Sequence, residues 1–94
     1  MSVYDEIKAE RERQNRKWGG PWHDDCHGHR DFCSFIVRLL GEAQSVGGDC
    51  DVSEYRRRMV QVAALAVADV ERVDRRLEKI HGAPRAKAQE GGPP

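Results

Sequence analysis

The run Met59-Val60-Gln61-Val62-Ala63-Ala64-Leu65-Ala66-Val67-Ala68 is apolar on nearly every side of the helix that it predicts. A surface helix keeps one polar face, whereas a helix apolar all round needs cover from every direction. The chain supplies only one other strongly amphipathic segment, from about Arg30 to Val46. There Phe32, Phe35, Ile36, Leu39, Leu40, Ala43 and Val46 recur at spacings of three and four and form one continuous stripe. Two such segments cannot enclose each other, so the pattern predicts that a second copy completes the cover.

Around these two segments, breakers and caps set the elements. Ser2 followed three residues on by Asp5 is an N-cap signal for a first helix running to Lys17 or Trp18. Its apolar content is thin: Val3, Tyr4, Ile7 and Ala9, then a polar run to Lys17. Trp18-Gly19-Gly20-Pro21-Trp22 predicts a turn, because Gly-Gly-Pro breaks a helix, and the loop is expected to continue to His29. Gly47-Gly48 is a stop for the second helix. Asp51 with Glu54 offers a capping box for the third, with Ser53 as a competing cap. Helical spacing then persists through Val70, Val73, Leu77 and Ile80 until Gly82 and Pro84. The tail from Arg85 to Pro94 carries no large anchor and is expected to be disordered. The expected architecture is all-α: a three-helix subunit, helix-loop-helix-helix, over residues 1–84, assembling into a homo-oligomer.

Composition narrows the classes. Ninety-four residues make one small domain. Sixteen Lys and Arg balance sixteen Asp and Glu, so no global field recruits nucleic acid or an anionic membrane. The opening Met-Ser-Val-Tyr-Asp-Glu has no basic n-region, and the longest apolar stretch falls far short of the ~20 residues that span a bilayer. The expected location is the cytoplasm, with no membrane partner. Cys26, Cys33 and Cys50 are an odd number, which argues for reduced thiols over a disulfide framework.

Candidate chemistry is concentrated in three places. From His23 to Cys33 lie three His, two Cys and three Asp. His23, Cys26, His29 and Cys33 are residue types that suit tetrahedral Zn²⁺, although no second Cys or His pair follows to close the site. The plainer reading has the Asp residues capping a helix and the His side chains in solvent. Asp24 and Asp25 are candidate Mg²⁺ ligands that need further oxygens from elsewhere. In the first helix, Arg11, Gln14 and Trp18 share one face and offer donors plus a ring to an anionic or planar ligand. The rival account is a solvated face stabilised by pairs such as Glu12 with Arg16. Arg56, Arg57 and Arg58 stand near the start of the third helix, where positive charge opposes the dipole. Adjacent helix positions point in different directions, so at most one or two serve a common site. Glu42 lies one turn after Arg38 and is expected to pair with it or to be the lone carboxylate of an interhelical site.

Three stretches carry a resemblance: Glu10-Arg11-Glu12-Arg13-Gln14-Asn15-Arg16-Lys17-Trp18-Gly19, then His23-Asp24-Asp25, then Tyr55 to Val67. Together the pattern resembles small phage and actinobacterial proteins related to the MazG-like all-α nucleotide pyrophosphohydrolases. The resemblance implies a helical dimer or tetramer, with Mg²⁺ held by Glu-Glu-x-x-Glu on one helix and Glu-x-x-Asp on the next. The metal in such a site positions phosphates for attack by water. On this sequence the first motif falls on Gly41, Glu42 and Ser45, and the second on Arg58 and Gln61. Only Glu42 survives of the acids, and Arg58 stands where a carboxylate would be.

The expected function is therefore that of a degenerate MazG-like protein, binding a nucleotide or a protein partner without efficient hydrolysis. Its ligand-binding set is Arg11, Gln14, Lys17, Trp18, His23, Asp24, Asp25 and Arg58. An alternative is an active Mg²⁺-dependent pyrophosphohydrolase with Glu42 as catalytic candidate, supported by Asp24, Asp25 or Asp69. A third is a structural interaction module with no small ligand.

Overall fold

In the computed structural model, which describes residues 2–46 and 51–82, Ser2 and Asp5 start the first helix by capping each other. The Asp5 amide donates to Ser2 Oγ at 3.1 Å and the Ser2 amide to Asp5 Oδ2 at 3.2 Å. This helix, α1, spans Val3–Trp18. It stops at Gly19, whose φ of 108° is left-handed and whose amide donates to the Asn15 carbonyl at 2.9 Å. A residue with a Cβ resists that conformation, which is why glycine ends the helix here.

The stretch expected to be a loop holds a further short helix, α2, over Gly20–Asp25, so the described residues form four helices rather than the three expected. Gly-Gly-Pro is a stop and a start in succession. Pro21 sits in the first turn of α2, where its missing N–H is an orphan donor in any case and its fixed φ suits a helix. After a link over residues 26–28, α3 occupies His29–Ser45. Asp31 serves its start, as one reading of the aspartates expected, by accepting from the Gly28 amide at 3.3 Å. The fourth helix, α4, runs over Val52–His81. Asp51, and not Ser53, is its cap, accepting from the Glu54 amide at 3.0 Å. Gly82, with φ of 70°, closes it. Gly47 and Gly48, Pro84 and the tail from Arg85 lie outside the described residues.

Both α1 and α3 pack on α4, and α2 bridges α1 and α4. Among the described residues the buried apolar side chains are only Phe32, Ala43, Ala64 and Ala68. Ala64 and Ala68 stand one turn apart and give α4 a shallow surface, so neighbouring helices approach its backbone closely. Gln14 of α1 reaches that backbone, its Nε2 donating to the Gln61 carbonyl at 3.4 Å. Within the apolar run only Val67 is exposed, the other positions being buried or half-buried. The more exposed apolar positions lie outside it: Val52 and Val70 of α4 remain 67% and 60% exposed, and Val37 and Leu40 of α3 are exposed as well. No helix among the described residues is long and apolar enough to cross a membrane.

Phe32 is the largest fully buried side chain, and Arg72 covers its ring at 5.0 Å from the centroid. Phe32→Ala is expected to destabilise the fold by about 3–5 kcal/mol, read as a shift of the urea midpoint at constant slope.

Candidate functional site

The packing of α1 and α3 on α4 leaves a cavity of about 490 Å³ between them, closed at one end by α2. That volume falls in the range of small-molecule sites. Spacings of three and four bring Arg11, Gln14 and Trp18 onto the lining from α1, with Lys17 beside them. His23 and Asp24 enter from α2, Phe35, Arg38 and Glu42 from α3, and Arg58, Gln61 and Leu65 from α4. Seven of the eight residues expected to bind a ligand therefore converge. Asp25 does not. It lies in a separate cleft, where its carboxylate accepts from Arg75 Nε at 3.1 Å and Nη2 at 2.8 Å. The hydrogen bond from Arg75 is the main reason that the Asp25 carboxyl titrates below its ordinary range.

Charge on the lining is lopsided: Arg11, Arg13, Lys17, Arg38 and Arg58 face only Asp24 and Glu42. Arg13 is held by Glu10 at 2.6 Å, and Arg11 by Glu71 at 3.1 Å and Asn15 at 3.2 Å. Lys17 Nζ lies over the Trp18 ring, 4.9 Å from its centroid. Arg58 stands 3.9 Å from both Glu42 and Glu54, at the limit of an ion pair. The expected pairing of Glu42 with Arg38 is not made: the carboxylate turns across to α4, leaving Arg38 without an ion pair among the described residues. Nor do Arg56 to Arg58 act together. Arg56 pairs with Glu6 of α1, Arg57 with Glu54, and only Arg58 reaches the cavity.

Five buried side-chain atoms among the described residues have no hydrogen-bond partner: Arg11 Nε, Gln14 Oε1, His23 Nδ1, Asp24 Oδ2 and Arg58 Nε. All five belong to residues on the lining of this one cavity. Leaving such a group unmet costs about 1–3 kcal/mol each, so unmet groups gathered at one place call for polar partners inside the cavity, from water or from a ligand. Beside them runs a ladder of rings. Trp18 stacks on His23 at 6.0 Å with planes 28° apart, His23 meets His27 at 4.7 Å, and His27 meets Phe35 edge-on at 5.4 Å. His27 Nδ1 lies 3.2 Å from Asp31 Oδ2, and His27 Nε2 lies 3.3 Å from His23 Nε2. That contact with His27, reinforced by the Gly28 amide, lowers the titration of the Asp31 carboxyl.

The residues do not fit the Mg²⁺ that the resemblance implies. Each candidate carboxylate has an arginine beside it: Glu42 has Arg58, Asp24 has Arg11 at 3.8 Å, Asp25 has Arg75, and Asp69 has Arg72 at 2.7 Å. A hard cation needs several free oxygens in one place, and guanidinium competes for each of these. The proposed Zn²⁺ set does not assemble either. Cys26 and Cys33 are exposed, His23 is turned to His27, and His29 Nδ1 faces Arg72 Nη2 at 2.7 Å. No group of three or more His, Cys, Asp or Glu converges among the described residues. Sequence reasoning missed Arg38, His27, Phe35 and Gln61 as lining. Phe35 belongs to the apolar stripe of α3 and reads as core, so only its neighbour Arg38 on the flank of that stripe signals a polar cavity.

Because the folded Asp25 carboxyl titrates below its unfolded value near ~3.9, its pairing stabilises the fold above that pH and is lost as pH falls through the lower value. Asp25→Asn is expected to cost no more than about 1 kcal/mol at pH 6, since the pair is partly exposed, and nothing at the lowest pH that retains the fold. Urea unfolding of both proteins across this range measures the convergence. Comparison with protein families, curated proteins and solved structures finds no match to this chain.

Proposed function

We propose that the protein is a degenerate MazG-like module that binds a nucleotide in the cavity between α1, α3 and α4, and that guanidinium and ammonium groups take the place of a divalent cation. The single observation carrying this reading is the set of five unmet polar atoms on a lining with five cations and two carboxylates. A polyphosphate supplies acceptors to Arg58, Arg38 and Lys17, and Arg58 is the residue that replaces a metal-binding acid in the resemblance. Charge-assisted hydrogen bonds from guanidinium to phosphate are about twice as strong as neutral ones. The Trp18 ring beside Lys17 offers a face for a base. Efficient hydrolysis is not part of the reading, because each carboxylate that would hold Mg²⁺ has a guanidinium beside it that repels the cation: Arg58 at Glu42, Arg11 at Asp24, Arg75 at Asp25 and Arg72 at Asp69.

A second element of the reading is self-association, favoured by the exposed apolar positions. Val52 and Val70 lie five helical turns, about 27 Å, apart on one face of α4, and Val37 and Leu40 add to the exposed apolar surface of α3. A second copy is the occupant that the all-round apolar run of α4 calls for.

Calorimetric titration with nucleoside triphosphate in EDTA tests the binding. Wild type is expected to bind without Mg²⁺, Arg58→Ala to bind about 10- to 100-fold more weakly, and added Mg²⁺ to release no pyrophosphate. Binding that requires Mg²⁺ and is followed by turnover would establish the pyrophosphohydrolase instead. For the assembly, Val70→Arg is expected to convert the wild-type oligomer to monomer in light scattering, and a monomeric wild type would remove the claim.

A further inference from the structure

The inner end of the cavity differs from its rim in hydrogen-bonding character. Arg13, Lys17 and Arg38 are exposed, whereas Gln14 and Asp24 are each only 8% exposed. The amide of Gln14 is oriented by its neighbours. Nε2 lies within reach of two acceptors, Glu10 Oε2 at 3.3 Å and the Gln61 carbonyl at 3.4 Å, so Oε1 is the atom left over, an acceptor without a donor. Asp24 Oδ2 is a second such acceptor, since Arg11 Nη2 at 3.8 Å is too far to donate to it.

The third is fixed at a distance. An ionised Asp31 only accepts, so His27 Nδ1 carries the proton between them. A neutral His27 then has its lone pair on Nε2 and accepts from His23 Nε2–H, which leaves the lone pair of His23 on Nδ1. That nitrogen is buried and makes no hydrogen bond, Asp24 Oδ1 at 3.8 Å being too far to accept from it. The inner end therefore presents three acceptors, Gln14 Oε1, Asp24 Oδ2 and His23 Nδ1, and one inner donor, Arg11 Nε–H. Arg58 Nε, the remaining unmet donor, lies nearer the start of α4 beside Glu54 and Glu42, away from Arg11, which pairs with Glu71 thirteen residues further along that helix.

We propose that this inner end selects the base of the nucleotide, and that the base is guanine or one with an equally donor-rich edge. Guanine carries three N–H donors on its Watson–Crick edge, one on N1 and two on N2, and one acceptor, O6. These match the three acceptors and one donor of the protein in kind and in number. Hypoxanthine lacks the N2 amino group and has one donor on that edge. Uracil has one donor between two carbonyls, and either carbonyl set against Asp24 would repel it. Adenine has two donors and leaves one acceptor unmet. A site whose buried polar groups are built for a donor rejects an analogue without it, because those groups are then left unpaired. Trp18 beside His23 supplies the plane on which the ring stacks, and the exposed cations hold the phosphates outside it.

The inference rests on the nucleotide-binding reading, and a ligand series separates the two. Titration in EDTA with GTP, ITP, UTP and inorganic triphosphate needs no change to the protein. GTP is expected to bind at least ten-fold more tightly than ITP or UTP. Asp24→Asn and Gln14→Met are each expected to bring GTP towards ITP, whereas Arg58→Ala weakens both and leaves their ratio unchanged. If one variant fails to fold, the other carries the comparison. Equal affinity for GTP, ITP and UTP overturns the base selection and leaves nucleotide binding standing. Failure of every nucleotide and of triphosphate to bind overturns both.

Discussion

The structure depends on guanidinium–carboxylate pairs that radiate from α4. With Phe32, Ala43, Ala64 and Ala68 as its buried apolar side chains, the described core is too small to define by shape how the helices sit. Ion pairs do that instead. Arg56 holds Glu6 near the start of α1, Glu71 holds Arg11 further along it, Arg75 holds Asp25 at the end of α2, and Arg58 faces Glu42 of α3. Each is worth little in stability, about 0–1 kcal/mol, because most are partly exposed. Their value is positional: four pairs along one long helix fix the register of the three others against it.

The same pairs decide what the cavity can hold. A carboxylate spent on holding a helix in register is a carboxylate lost to a metal: Asp25 is taken by Arg75 and Glu42 faces Arg58, while Asp69 is taken by Arg72 within α4 and Asp24 stands with Arg11 3.8 Å away. What remains on the lining is cationic at the rim and mixed within. Arg11 serves both purposes: its Nη2 ties α1 to Glu71 of α4 and its Nη1 donates to Asn15 within α1, while its Nε is left unmet in the cavity. Architecture and ligand chemistry are thus drawn from one set of side chains.

Much of this could be read from residue order. The caps at Ser2 and Asp51, the stop at Gly82 and the face shared by Arg11, Gln14 and Trp18 follow from local spacing, and the helices form accordingly. Local reasoning failed where two signals overlapped or where a partner came from far along the chain. Gly19-Gly20-Pro21 reads as a break, and only the position of Pro21 within the first turn of α2 shows that it is also a beginning. Arg38 is one turn from Glu42 and looks like its partner, yet Arg58 arrives from another helix. The histidines of the first loop look like metal ligands because spacing does not tell which way they turn. His27 joins His23 to Asp31, and Arg72, from 43 positions away, takes His29.

The turn at Gly19 governs the width of the cavity. A Cβ placed there would just touch the Cβ of His23 at 3.4 Å, so the turn and the start of the histidine side chain are separated by no more than the room of one methyl group. With φ at 108°, the turn is not one that other residues adopt easily. His23, and Asp24 after it, are therefore carried by the covalent geometry that ends one helix and begins the next. A wall built this way does not relax outward by exchanging rotamers, as a wall of packed side chains does. Ligands of different size would have to be accommodated from the α3 side, through Phe35 and Arg38, so the cavity has one rigid jaw and one compliant one.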